Sequence, residues 1–151
     1  NFLKLFNLNL FIQSEINNFF IKKKLSTKEK LKIIHISSVA SIENTASVGY
    51  SVAKSALNIY SKILSKKLAH NKIQIKNLIL GGFETKDNSF ARLKKKNILA
   101  YKKFVNSRMP LKRLSKTEEI IPIVEFILEA RSEIISGDLI VDNFEADTFR
   151  N

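Results

Sequence analysis

The chain has 151 residues, no cysteine and a net charge of +12 at pH 7. These features exclude disulfides and thiolate metal sites, and the two histidines, His35 and His70, are too far apart to predict a zinc site. The positive charge is carried mostly by lysine and is spread along the chain, whereas nucleic-acid-binding surfaces favour arginine and stacked aromatic rings. We therefore expect no nucleic-acid partner.

Residues 2–22 form an apolar stretch that predicts a helix buried on more than one face. Eight polar residues interrupt the apolar run of residues 2–21, so it does not have the composition of a membrane span. It also lacks the small-residue cleavage site of a signal peptide. We expect a cytoplasmic protein without a membrane segment. The first residue is Asn1 rather than methionine, which indicates a fragment or a processed product.

The middle of the chain predicts two strands separated by a helix. Residues 32–37 are β-branched and apolar, as in a buried strand, and a loop of small polar residues follows at 38–47. Residues 48–69 have apolar positions on two sides of a helix, which predicts packing against a sheet and against a partner. A second strand is predicted over 73–80, and two glycines then interrupt the pattern.

The last third predicts a variable segment, a helix and a strand. Residues 83–114 are polar and basic, with a helix near 89–106, and we expect them to form a mobile lid. The sequence Ser-Lys-Thr-Glu at 115–118 fits a capping box and predicts a helix from residue 115. Pro122 lies within that pattern and predicts a kink or a later start. Residues 138–142 read as a third strand, and 143–151 as a tail.

Strands that alternate with long helices predict a single α/β domain over residues 1–151, with a parallel sheet and helices on its faces. Right-handed crossovers bring the carboxyl ends of the strands to one edge of the sheet, where ligands bind in such folds. Ser38, Gly81 and Gly82 each follow a predicted strand. They are therefore expected at that edge.

Tyr50 and Lys54 are four residues apart, so they share a face of the predicted helix with Cβ atoms about 6 Å apart. A nearby ammonium favours the phenolate of a tyrosine. Such a tyrosine can exchange a proton with a substrate hydroxyl or carbonyl. The alternative is a half-buried tyrosine beside a solvated lysine.

The residues around this pair, IIHISSVAS…GYSVAKSAL, resemble the signature of the short-chain dehydrogenase/reductase family. The resemblance implies the C-terminal half of a Rossmann-like, doubly wound parallel sheet. It also implies that Tyr50 is the catalytic acid/base, that Lys54 binds the nicotinamide ribose and lowers the tyrosine pKa, and that Ser38 orients the substrate oxygen. Ser37 is the alternative serine.

The flanking segments extend the resemblance to residue 144. The family has an asparagine in the helix before the serine strand. Its spacing is matched first by Asn1 and second by Asn9. The turn after the next strand lies near the nicotinamide in the family. By resemblance, its members Gly81, Gly82, Phe83 and Thr85 are candidate cofactor contacts. The ending MPLKRLSKTEEI…SGDLIVDNF is also similar, but Asn143 and Phe144 stand where the family usually has two glycines.

The glycine-rich turn with which the family begins, T-G-x-x-x-G-x-G, has no counterpart among the four glycines here. We therefore expect a fragment of a longer enzyme that uses NAD or NADP, and we expect the chain alone to bind the cofactor weakly. The substrate would be a small carbonyl or alcohol compound, as in a 3-oxoacyl-carrier-protein reductase, and the intact enzyme a homo-oligomer. The alternatives are a basic, non-catalytic binding module and an inactive remnant.

Overall fold

We describe the fold from a computed structural model, which divides into two compact units. One unit is drawn from 1–79 and 131–139, and the other from 80–130 and 140–151. The described residues are 1–27, 29–43, 46–131 and 137–145.

The first unit contains a parallel sheet flanked by helices, so the predicted α/β class is confirmed. Its helices are α1 (Phe2–Phe6), α2 (Ile12–Leu25) and α3 (Val48–Leu68), and its strands are β1 (Leu31–Ser38) and β2 (Ile73–Leu80). The strand β5 (Gly137–Val141) completes a sheet of order β1-β2-β5. The three strands and the long helix lie within a residue or two of their predicted bounds.

The strand β1 has two different faces. His35 and Ser37 are buried, whereas Ile36 between them is 48% exposed, as expected for side chains that alternate across a sheet. A core cluster fills the space between strands and helices. It contains the buried residues Ile21, Ile73 and Ile75, with Leu31, Ile33, Leu64 and Leu68 packed against them. Burial of each such side chain stabilises the fold by about 1.5–3 kcal/mol.

The N-terminal helix is less regular and less buried than predicted. Residues Asn7–Phe11 between α1 and α2 form a π-helical turn. Only Asn17, Ile21 and Lys24 of α2 are buried, and Phe19 is 64% exposed. The prediction of a helix buried on several faces was therefore wrong within this unit, since its large apolar side chains point largely to solvent.

The second unit contains short strands and three helices. They are β3 (Phe83–Glu84), α4 (Ser89–Lys96), α5 (Ile98–Arg108), β4 (Ser115–Lys116) and α6 (Thr117–Glu129). The strands β3 and β4 pair in parallel, with Phe83 opposite Ser115. Val105, Met109 and Leu114 form the core, and Phe90, Tyr101 and Phe104 pack against it.

Two predictions about the helices of this unit need correction. The helix expected over 89–106 is two helices, because Asn97 leaves helical geometry at φ −152° and ψ 90°. The last helix begins at Thr117 rather than at residue 115. Its first turn is capped by Glu119, whose Oε2 accepts a hydrogen bond from the Lys116 N–H at 2.8 Å.

The predicted tail over 143–151 does not begin as a tail. Glu145 is buried, and its carboxylate accepts from the Gly82 N–H at 2.8 Å and from Nε of Arg108 at 3.3 Å. These contacts hold the chain after β5 against the turn that follows β2. Residues 146–151 lie outside the described part.

Candidate active site

Tyr50 and Lys54 lie one turn apart near the start of α3, as their spacing predicted. Nζ of Lys54 is 5.8 Å from the centroid of the Tyr50 ring. The N-cap residue of the helix is Ser47, in extended geometry, so Tyr50 occupies the first turn. The ammonium therefore lies beside the aromatic ring of Tyr50, on the same face of α3.

Lys54 also joins α3 to β1. Its Nζ donates a hydrogen bond to the carbonyl oxygen of Ile36 at 2.8 Å. Burial lowers the pKa of Lys54 below its ordinary value, because removal from water disfavours the charged form. The bond to Ile36 brings the lysine to the carboxyl end of β1, two residues before Ser38.

Ser38 is the last residue of β1 and begins the short 3₁₀ turn Val39–Ser41. Its Oγ accepts from the Ala40 N–H at 3.2 Å, and in that arrangement the hydroxyl can still donate its own proton. Ser37 points to the other side of the strand, where it is buried and bonded to Asn58. This difference favours Ser38 over Ser37 as the serine that meets a substrate.

A chain of hydrogen bonds that the sequence did not predict ties this turn to α3. Ser37 Oγ donates to Oδ1 of Asn58 at 2.6 Å. Nδ2 of Asn58 donates to Ser41 Oγ at 2.7 Å, and Ser41 Oγ donates to the carbonyl oxygen of Ser38 at 2.7 Å. We call Ser37, Asn58 and Ser41 the serine clamp.

The two asparagine candidates occupy different environments. Asn1 is exposed, and its side chain makes no capping bond to α1. Asn9 lies in the π-helical turn, and its Nδ2 donates to the carbonyl oxygen of Leu5 at 2.9 Å. Such widened turns occur frequently at functional sites. This favours Asn9 over Asn1, although neither is shown to meet Lys54.

His35 lies in a second buried polar cluster on the same face of β1. Its Nε2 is 2.9 Å from Nδ2 of Asn17, and its Nδ1 is 2.6 Å from Ser61 Oγ. Burial, with a further contribution from the charge of Lys54, lowers the pKa of His35 from 6.5 to about 4. The imidazole is therefore neutral near pH 7 and acts as a structural group.

The predicted cofactor turn lies in the second unit. A Cβ at Gly81 would lie 2.6 Å from Cα of Asp142, and one at Gly82 would lie 2.8 Å from Cδ2 of Leu114. Close packing within the protein therefore requires both glycines, whatever else approaches the turn. Phe83 is half-buried in β3.

Thr85 follows β3 and lines an open cleft of about 810 Å³ in the second unit. The other lining residues are Glu84, Lys86, Asp87, Lys116, Thr117 and Glu118. The cleft is therefore lined mostly by charged side chains, and Thr85 provides a hydroxyl at its wall.

The described residues contain neither a candidate metal site nor a membrane-spanning helix. Within them, no cluster of three or more histidine, aspartate or glutamate side chains could hold a metal ion. None of the helices in the same residues is long and apolar enough to span a membrane.

Sequence comparison identifies the family. The model of the family described as enoyl-(acyl carrier protein) reductase matches residues 2–143. This chain belongs to the short-chain dehydrogenase/reductase family, as the signature predicted. It is 33% identical over 110 residues to the 3-oxoacyl-[acyl-carrier-protein] reductase FabG of Buchnera aphidicola subsp. Schizaphis graminum. That match covers 72% of this chain but only 43% of the relative.

Solved structures share the fold. The Pseudomonas aeruginosa RhlG/NADP active-site complex has a TM-score of 0.81 at 20% identity, and covers 95% of this chain with 59% of its own. The 3-oxoacyl (acyl-carrier-protein) reductase of Agrobacterium tumefaciens, with NADP bound, has a TM-score of 0.79 at 16% identity, over 89% of this chain and 52% of its own. The chain thus spans little more than half the length of these proteins.

Proposed function

We propose that this chain forms the catalytic half of an NAD- or NADP-dependent oxidoreductase that interconverts a carbonyl and an alcohol. The observation that carries the proposal is the 5.8 Å approach of the Lys54 ammonium to the Tyr50 ring, beside the strand end that carries Ser38. The family match and the NADP bound in the two solved structures support a nicotinamide cofactor.

The proton chemistry follows from these three side chains. In the reductive direction, Tyr50 donates its phenolic proton to the substrate oxygen as negative charge develops there. The Lys54 ammonium stabilises the resulting phenolate. Ser38 donates a hydrogen bond to the same substrate oxygen and holds it in place. In the oxidative direction, the phenolate accepts the proton from the alcohol.

The residues present fit the nicotinamide end of the cofactor. Tyr50 and Lys54 would bind its ribose, and by resemblance to the family Gly81, Gly82, Phe83 and Thr85 are candidate contacts of the nicotinamide carboxamide. A bound nicotinamide would supply the hydride. The phosphate-binding glycine turn of the family is not in this sequence. We therefore expect the isolated chain to bind NAD(P) no more tightly than micromolar. Submicromolar binding in a calorimetric titration of the isolated chain would contradict this.

The substrate class is proposed from the relatives. The matched family model and the Buchnera protein are both named for acyl-carrier-protein substrates, so a 3-oxoacyl thioester is the first compound to test. The assay follows NADH and NADPH oxidation at 340 nm, with a 3-oxoacyl N-acetylcysteamine thioester and simple ketones as probes. A cytoplasmic location and a homo-oligomer are part of the same proposal.

The substitution Tyr50→Phe tests the proposed role of the phenol. In the full-length natural protein we expect kcat to fall at least ~100-fold with an unchanged circular dichroism spectrum, because loss of a general acid costs roughly 10²–10⁴-fold. The matched control is Tyr60→Phe on the same helix. The Tyr60 hydroxyl bonds only the structural Asn17 among the described contacts, so this variant should keep its kcat. Full activity of Tyr50→Phe would refute the proposed function.

A second candidate, a basic binding module, is supported by one observation. Residues 86–113 hold ten of the 26 lysine and arginine residues but only one of the 14 acidic residues, so the charge is less evenly spread than we expected. Salt-sensitive binding of duplex DNA or of anionic vesicles to a protein without reductase activity would favour this candidate.

A further inference from the structure

We propose that Asn58 is a positioning residue for the catalytic serine. Through Ser37 and Ser41 it fixes the turn that carries Ser38. The inference rests on the proposed oxidoreductase function, because it concerns how the serine of that site is held. Asn58 itself is not proposed to touch substrate or cofactor.

The side-chain amide of Asn58 holds two different pieces of backbone. Its oxygen accepts from Ser37 in β1 at 2.6 Å. Its nitrogen donates to Ser41 in the 3₁₀ turn at 2.7 Å. Ser38 lies between these two anchor points in the chain, and Ser41 donates back to the carbonyl oxygen of Ser38 at 2.7 Å. The serine is therefore held from both sides.

The position of Asn58 between Ser37 and Ser41 requires a side chain that both accepts and donates a hydrogen bond. Asn58 is 7% exposed and Ser37 is 4% exposed, so water does not readily replace the bond between them. Aspartate could accept from Ser37 but could not donate to Ser41, and leucine could do neither. The amide therefore supplies an acceptor to the strand and a donor to the turn.

The helix α3, which carries Asn58, also carries the proposed acid/base pair. Asn58 lies one turn after Lys54 and two turns after Tyr50 on the same helix. Ser55, also on α3, donates to the carbonyl oxygen of Ser41 at 2.6 Å. A shift of the turn against α3 would therefore change the position of Ser38 relative to the phenol.

The backbone of Asn58 is also held in place, by a residue of the sheet. The backbone oxygen of Asn58 accepts from Nδ2 of Asn77 at 3.3 Å, and the same Nδ2 donates to Asp138 at 2.7 Å. Asn77 belongs to β2, the central strand of the sheet. The helix is therefore anchored to the sheet at the residue from which the serine clamp extends.

The test uses Asn58→Ala and Ser41→Ala in the full-length natural protein. We expect kcat to fall roughly 10- to 100-fold, because a displacement of about 1 Å of a reacting group can cost that much. The KM for the cofactor should change less than about threefold, since the clamp does not act on the cofactor. Ser41→Thr keeps the hydroxyl and should restore kcat. The double variant should lose little more than either single variant, because both break the same chain of bonds.

A second experiment, in a protein that lacks the Ser38 hydroxyl, separates the positioning role of Asn58 from a general loss of structure. In a Ser38→Ala protein, the further change Asn58→Ala should leave the residual kcat unchanged, because the group it positions is already absent. The stability control is Ser61→Ala on the same helix. It removes a bond to buried His35, so it should lower the melting temperature and leave kcat unchanged.

The possible results distinguish the positioning role of Asn58 from the proposed oxidoreductase function. An undiminished kcat in both Asn58→Ala and Ser41→Ala, with Tyr50→Phe inactive, would overturn the positioning role and leave the proposed function standing. An equal loss of kcat with and without Ser38 would also overturn it. Full activity of Tyr50→Phe would instead remove the proposed function itself.

Discussion

Asn143 and Phe144 leave β5 with left-handed backbone, at φ 57° for each. This is where the family usually has two glycines, the residue type that adopts left-handed backbone without strain. Asparagine tolerates such geometry, whereas for phenylalanine it costs about 1–2 kcal/mol. The side chain of Phe144 is 73% exposed and recovers little of this by packing.

Phe144→Gly should therefore stabilise the protein by roughly 1 kcal/mol, somewhat less than the full strain because glycine also gains freedom in the unfolded chain. Urea denaturation measures the change. Phe144→Ala removes the ring but keeps Cβ, so it should give no stabilisation. An equal gain in both variants would show that the exposed ring, not the backbone, was the source of strain.

The buried His35 makes stability depend on pH. Its folded pKa is lowered to about 4 from an ordinary 6.5, so the unfolded state binds more protons between these values. Stability is therefore complete above pH 6.5 and falls as the pH drops towards 4, with a slope of at most about 1.4 kcal/mol per pH unit.

The pH dependence of the urea midpoint measures this slope. His35→Gln should remove the histidine contribution, even though the variant is less stable throughout. His70 is exposed, so His70→Gln serves as the control for substitution of a histidine outside the buried cluster. The idea fails if His35→Gln retains the full slope between pH 6.5 and 4.

At the residue scale, sequence predicted only what local spacing determines. Tyr50 and Lys54 share a helix face because they are four positions apart, and Nζ of Lys54 lies 5.8 Å from the centroid of the Tyr50 ring. The role of Asn58 could not be found in this way. Its partners Ser37 and Ser41 lie 21 and 17 positions away, and the contact exists only once β1 packs against α3.

At the scale of elements, Asn88 and Asn97 determine where α4 and α5 begin. Asn97 Oδ1 accepts from the Ala100 N–H at 2.9 Å, and Asn88 Oδ1 accepts from the Ala91 N–H at 2.9 Å. Asn88 also donates to the carbonyl oxygen of Phe83 at 2.6 Å. The first asparagine therefore caps a helix and also holds the preceding strand.

Asn97→Ala should destabilise the protein by about 1 kcal/mol, the usual effect of losing a helix cap. Asn88→Ala should cost more, because a second and less exposed bond is lost with the cap. Thermal and urea unfolding of both variants would measure the difference. Equal effects would show that the bond to Phe83 contributes nothing to stability.

Long periodic elements were predictable, and short ones were not. β1, β2 and α3 carry eight or more residues of clear pattern, and their bounds were found within a residue or so. The two-residue strands β3 and β4 have too few positions to show a period. The break at Asn97 was missed because asparagine occurs inside helices as well as at their caps.

At the scale of the whole molecule, the exposed apolar side chains of the first unit indicate a surface that binds another protein chain. Phe19 on α2 is 64% exposed, and Ile59 and Ile63 on α3 are 57% and 51% exposed. Exposed apolar clusters of this kind mark interaction surfaces on soluble proteins. The sequence had predicted a partner for a second face of α3, and the structure leaves that face uncovered within this unit.

We expect a second copy of the protein to cover these residues. Since burial of each large apolar side chain contributes about 1.5–3 kcal/mol, the double substitution of Ile59 and Ile63 by lysine should dissociate the oligomer. Light scattering coupled to size exclusion would report the mass. Leu99→Lys is the matched control, because Leu99 is 76% exposed but belongs to the second unit. A parent protein of monomeric mass would refute the expectation, and an unchanged oligomer in the double variant would place its interface elsewhere.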